Sequence, residues 1–122
     1  MFKKVFASVV LCATFSYADF IGITPQQLQE KIDKNIKIID IRTPQEFAQG
    51  HIEGAVNINY FGRSFLEEVS KFDKKKPIFI YCRSGNRTSS ASRKMLNQGF
   101  NEVADLQGGI INWAKNKNKI VK

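Results

Sequence analysis

"PIFIYCRSGNRTSSAS", residues 77–92, carries an apolar run straight into a short polar turn and then into a helical pattern. The run 77–81 is compact, aromatic and isoleucine-rich, as expected of a strand buried in a parallel sheet. The turn Cys82-Arg83-Ser84-Gly85-Asn86-Arg87 holds one thiol, two arginines and no acid. Gly85 and Asn86 are the residues there that tolerate positive φ, so a sharp reversal into a helix is expected at that point. That helix runs through Met95 and Leu96 and stops at Gly99, a natural residue to follow a helix C-cap.

The same alternation extends in both directions. Upstream, "FIGI" (20–23) reads as a short edge strand, and Thr24-Pro25-Gln26-Gln27 as a capping box with proline at the first helical position. Leu28 and Ile32 provide the apolar stripe of that helix. "IKIIDI" (36–41) is a second buried strand, and Thr43-Pro44-Gln45-Glu46 repeats the capping logic for a short helix ending near Gly50. "AVNI" (55–58) is a further strand, and "SFLEEVSKF" (64–72) places Phe65, Leu66, Val69 and Phe72 on one helical face. Downstream, "EVADL" (102–106) is a strand, and Gly108-Gly109 leads into a last helix with Ile110, Ile111 and Trp113. Strands alternating with helices in this way predict a single α/β domain, a mainly parallel central sheet flanked by helices. The chain shows no internal repeat and no linker.

Residues 1–18, "MFKKVFASVVLCATFSYA", have a different character: a basic start, an apolar run from Val5 to Phe15, and small residues before the end. This is the pattern of a secretory signal peptide cleaved after Ala18, leaving residues 19–122 as the domain, either periplasmic or secreted. The apolar run is shorter than the ~20 residues a membrane span requires, so no stable membrane insertion is expected after cleavage. Leu11 is bulky where a lipoprotein signal would need a small residue before Cys12.

Loss of Lys3 and Lys4 lowers the net charge from +8 to +6, and loss of Cys12 leaves Cys82 as the only cysteine. In an oxidising compartment structural cysteines come in pairs, so a single remaining thiol is a candidate for reactivity. The lysine excess lies in loop-like runs such as Lys74-Lys75-Lys76 and the tail "KNKNKIVK", the pattern of solvated faces rather than of a nucleic-acid site. A positive field of this kind favours small anions.

Ligands of an open parallel sheet bind beyond the carboxyl ends of its strands, which is where Cys82 falls. A turn of this type aims successive backbone N–H groups at one spot, and the following helix adds the positive end of its dipole. Both favour the thiolate, the nucleophilic form of cysteine. Asp40, Arg42 and Glu46 read as an ion-paired network at a strand end. His51, in a turn with no second His or Cys nearby, reads as a structural residue rather than a base or metal ligand.

These motifs carry a family resemblance. "CRSGNR" resembles the six-residue active loop of the rhodanese family of sulfurtransferases. "DIRTPQEFAQGHIEGAVNI" (40–58) is similar to that family's upstream signature, and "DLQGGIINW" (105–113) to its closing Gly-Gly…Trp element. The resemblance implies a single rhodanese-like domain of the exported type, acting as a thiosulfate sulfurtransferase. It implies that Cys82 takes the outer sulfur of thiosulfate as a persulfide and gives it to cyanide or a thiol. It further implies that the backbone of Arg83, Ser84, Gly85, Asn86 and Arg87 cradles the sulfur, that the two arginines hold the donor, and that neither metal nor organic cofactor takes part.

Two other readings stay in view. Cysteine phosphatases and arsenate-reductase-like proteins use a Cys-x5-Arg loop; here four residues separate Cys82 from Arg87, and Tyr81 stands where a His would precede the cysteine. A non-turnover sulfur carrier or partner-binding module would keep the cysteine but cycle little. Arg83 as a solvated loop charge and Arg87 as a structural ion-pair partner are the corresponding plain readings of those side chains.

Overall fold

The computed structural model describes residues 19–122. The leader assigned above to residues 1–18 lies outside them. The strands are β1 (Asp19–Ile23), β2 (Ile38–Asp40), β3 (Val56–Asn57), β4 (Ile78–Tyr81) and β5 (Glu102–Leu106). Between and after them come α1 (Pro25–Ile32), α2 (Pro44–Gln49), α3 (Phe65–Val69), α4 (Asn86–Asn97) and α5 (Gly109–Lys115). The strands form one sheet in the order β1-β5-β4-β2-β3, with every pairing parallel.

β4 lies centrally and all four of its residues are buried, so its side chains must serve two cores. Ile78 and Ile80 point into a cluster with Ala91 and Met95 of α4 and Phe65 and Val69 of α3. Phe79 and Tyr81 point the other way, into a cluster with Leu28 of α1 and Ile110 and Trp113 of α5. This two-sided burial is why the strand reads as an unbroken apolar run rather than an alternating one.

Both capping boxes form. Thr24 Oγ1 accepts from the Gln27 amide, and the Gln27 side chain accepts in return from the Thr24 amide at 2.9 Å. Thr43 and Glu46 repeat the exchange at α2. Gly99, at φ +104°, follows the C-cap of α4 in a conformation costly for any residue with a Cβ. Three expected elements come out shorter. β2 covers only Ile38–Asp40 of the run 36–41. α3 covers only Phe65–Val69 of the stripe 64–72, and β3 only two residues of 55–58. β3 is an edge strand with Val56 half-exposed, so little packing extends it.

From β2 the chain steps outward to β3, then returns past β2 to β4 and on to β5. The direction of winding reverses between β2 and β4, which opens a crevice at their carboxyl ends. The loop that starts at Cys82 stands at that crevice.

Candidate active site

Cys82 closes β4 with its side chain on the α4 face, and it is 1% exposed. Among the described residues it is the free cysteine. The following turn folds back over the sulfur so that the Gly85 amide donates to Sγ at 3.1 Å. Gly85 is the N-cap of α4 at φ +111° and no side chain caps this helix. The first-turn amides of α4 therefore have no partner inside the helix, at the end of the loop whose Gly85 amide points at the sulfur. A helix start left uncapped over a cysteine is an anion cradle.

The cradle also needs its carbonyls turned outward, and a distant segment does this. The amides of Ile110 and Ile111, at the start of α5, donate to the carbonyls of Cys82 and Arg83 at 3.0 and 3.2 Å. Gly109 makes the approach feasible: it sits at φ +61°, and a Cβ there would come within 2.6 Å of the Cys82 carbonyl oxygen. The pair Gly108-Gly109 is thus a brace for the active loop as well as a helix start.

Arg83, Ser84 and Asn86 are exposed on the outer surface of the loop, and Gly85 is partly covered. Arg87 turns sideways instead. Its guanidinium forms a two-pronged pair with Glu46, Nη1 to Oε1 at 2.8 Å and Nη2 to Oε2 at 3.0 Å. Glu46 is also the capping-box acid of α2, so a single carboxylate ties α2 to the start of α4. The Arg87 guanidinium, with the Thr43 contacts, outweighs burial and lowers the Glu46 carboxyl to about 2. Arg87 is raised in turn, chiefly by its hydrogen bond to Glu46. The exposed ring of Phe61 lies 5.7 Å from the Arg87 guanidinium and lines the rim of the site.

Beneath the rim, Arg42 and Asp40 make a buried pair with Nη2 to Oδ2 at 2.6 Å, and Arg42 also donates to the Gly50 carbonyl. The Asn57 side chain donates to the carbonyls of Asp40 and Arg42, which fixes the β2 end of the crevice. The Tyr81 hydroxyl accepts from the Ile52 amide at 3.0 Å; burial and the nearby Asp40 push this phenol well above its usual range. His51 stacks on Phe47 with ring centroids 3.7 Å apart, and its Nδ1 lies 2.9 Å from the Phe47 carbonyl. Sequence reasoning did not single out Thr88, whose hydroxyl lies 3.7 Å from Cys82 Sγ. Its signal was position, one turn into the helix on the face toward the sheet.

The rhodanese-like domain family matches residues 24–116, from the cap of α1 to the end of α5. The chain belongs to the rhodanese-like family. It is 41% identical over 90 residues to the chloroplastic thiosulfate sulfurtransferase 16 of Arabidopsis thaliana, covering 66% of this chain and 75% of that protein. It is 36% identical over 96 residues to the thiosulfate sulfurtransferase GlpE of Ectopseudomonas mendocina, covering 79% of this chain and 86% of that one. Among solved structures, the crystal structure of a rhodanese-related protein from Thermoplasma volcanium superposes with a TM-score of 0.74 at 28% identity, covering 83% of this chain and 97% of that one. The expected single α/β domain with a parallel sheet is therefore the observed one, and its relatives place it with sulfurtransferases of the rhodanese type.

Proposed function

We propose that this rhodanese is an exported thiosulfate sulfurtransferase that carries sulfane sulfur as a persulfide on Cys82. The observation that carries the reading is the Gly85 amide aimed at Sγ at 3.1 Å under an uncapped helix start. Fixed amides there stabilise a negative sulfur and, with little rearrangement, a second sulfur atom bound to it.

The reaction balances in two displacements. The Cys82 thiolate attacks the outer sulfur of thiosulfate, a new S–S bond forms, and sulfite leaves with the electron pair of the old one. The charge then rests on the terminal sulfur of the persulfide, inside the ring of amides. A thiolate or cyanide acceptor attacks that terminal sulfur, and the Cys82 thiolate leaves. Arg83, exposed beside the opening, draws the dianionic donor toward the loop. Export to the periplasm or outside the cell rests on the pattern of residues 1–18; a chain recovered from that compartment with Asp19 as its first residue is the expected finding, and a full-length chain confined to the cytoplasm overturns it.

The test of the chemistry is the mass of the intact protein after incubation with thiosulfate. The wild type gains one sulfur and Cys82→Ser gains none. Addition of cyanide removes the sulfur, and sulfite accumulates over repeated cycles. Turnover of a phosphate ester without sulfur uptake overturns the reading, and a single loading with no further sulfite marks a carrier instead.

A further inference from the structure

The fold gathers lysines from separate loops at the end of the sheet opposite the Cys82 loop. The strands are all parallel, so the segments that enter β2 and β4 share one end, while Cys82, at the exit of β4, stands at the other. Lys31 lies in the last turn of α1, the chain turns at Asn35 with φ +59°, and Lys37 leads into β2. Ile38 pairs with Phe79, and the Phe79 amide donates to the Lys37 carbonyl at 3.0 Å, which sets Lys37 beside the start of β4. Lys31, Lys34, Lys37 and Lys76 thus ring a cavity of about 600 Å³ with Ile36 and Pro77 in its wall, and no carboxylate lines it.

None of these lysines forms an ion pair among the described residues. Like charges gathered around one opening repel, so an anion placed there relieves a cost that the free protein bears. Carboxylates line the adjoining hollows instead: Glu30 and Glu102 toward β1, and Asp73 beside Lys71. Two observations say what kind of anion fits. Apolar groups accompany the charge: Phe20 and Ile21 of β1 are 51% and 39% exposed, and Ile21 lines the hollow that shares Lys31 and Lys34 with the ring. The chain also enters the domain at this end, because β1 starts at Asp19 and runs parallel to its neighbour; only residues 16–18 separate it from the apolar run 5–15. An apolar leader held in a bilayer therefore brings the lysine end, and not the Cys82 loop, to the lipid surface.

We propose that the lysine end of the sheet docks on an anionic phospholipid surface, with lipid phosphates at the ring and Phe20 and Ile21 at the headgroup boundary. A small free anion has no use for the apolar groups, whereas a phospholipid surface offers phosphates and acyl chains together. The attachment is peripheral, since no helix among the described residues is long and apolar enough to cross a membrane. The Cys82 loop faces away from the lipid, open to donor and acceptor. This docking is independent of the sulfur chemistry and remains after the leader is cleaved.

The test is flotation of the protein, its first residue determined by mass, with vesicles of mixed phosphatidylglycerol and phosphatidylcholine or of phosphatidylcholine alone. Binding to the anionic vesicles alone, lost as sodium chloride rises, is the expected result. The triple variant Lys34→Gln, Lys37→Gln, Lys76→Gln should bind on the order of 100-fold more weakly, about fivefold per lysine. Arg63→Gln, Arg93→Gln, Lys117→Gln removes as much charge from exposed positions outside the ring and should cost far less. Iodoacetamide, which is neutral, should alkylate Cys82 at the same rate on vesicles as in solution. Sodium phosphate should release no more protein than sodium chloride at equal ionic strength. No binding to anionic vesicles, equal loss in the two triple variants, or protection of Cys82 overturns the proposal. Selective release by phosphate, the mark of a free-phosphate site, also overturns it, as does equal binding to neutral vesicles, the behaviour of a retained leader.

Discussion

Gly109→Ala tests whether α5 braces the active loop. Two costs follow from the structure. The backbone at φ +61° is left-handed, which charges a residue with a Cβ about 1–2 kcal/mol. The new Cβ would also press on the carbonyls of Cys82 and Arg83, displacing the amides of Ile110 and Ile111 that they accept from; two such hydrogen bonds are worth about 2 kcal/mol together. The total is about 3–4 kcal/mol. At roughly 4–8 °C per kcal/mol for a domain of this size, Tm falls by about 12–32 °C. Gly54→Ala is the control: it sits at φ +88° with nothing within 4 Å of a Cβ, so it bears the backbone cost alone. That is about 1–2 kcal/mol. Thermal unfolding of both variants followed by circular dichroism, with thiosulfate uptake measured below Tm, separates the contributions. Gly109→Ala should fall further than Gly54→Ala and also load sulfur more slowly, because its loop carbonyls are no longer held outward. Equal losses of Tm with undisturbed loading would refute the brace.

The remaining predictions concern charge. Glu46 is held at about 2 against an ordinary value of 4.5, so its pairing contributes stability above pH 4.5 that is lost as the pH falls toward 2. Urea unfolding should therefore show Glu46→Gln less stable than wild type at pH 7, on the order of 1–2 kcal/mol after allowance for partial exposure, with the two curves meeting near pH 2; a gap that persists at pH 2 would show that the pair is not its source. Arg83→Gln should raise the KM for thiosulfate, with an effect that shrinks as salt rises, whereas Arg87→Gln should lower Tm and change kcat more than it changes the salt dependence. Identical salt dependence in the two variants would mean that the Glu46 pair does not neutralise Arg87.

Much of the fold was legible because its signals are local. The capping boxes at Thr24 and Thr43 depend on residues three apart, and β4 is apolar throughout because both its faces are covered. The elements that came out short depend on what lies next to them. Phe72 would continue the apolar stripe of α3, but after Val69 the chain leaves the helix, and Phe72 packs against the core from outside it. "FIGI" reads as a short edge strand and forms one at the end of the sheet, with Phe20 51% exposed.

The site divides in the same way. The thiol, the turn glycine and the helix start are consecutive, so "CRSGNR" placed Cys82 in its cradle directly. The partners that tune the cradle come from elsewhere in the chain: Gly109 from the start of α5, and Glu46 from a position 41 residues before Arg87. The arginines show what this separation does to function. Both lie in the loop and carry the same formal charge, so the sequence assigns them the same task. The fold commits Arg87 to Glu46, which offsets its charge and uses it to join α2 to α4, while Arg83 forms no ion pair among the described residues. A dianion approaching the opening therefore feels Arg83 and the uncapped helix start at Gly85 most strongly. The rigidity of that helix start comes in part from the arginine that no longer attracts it.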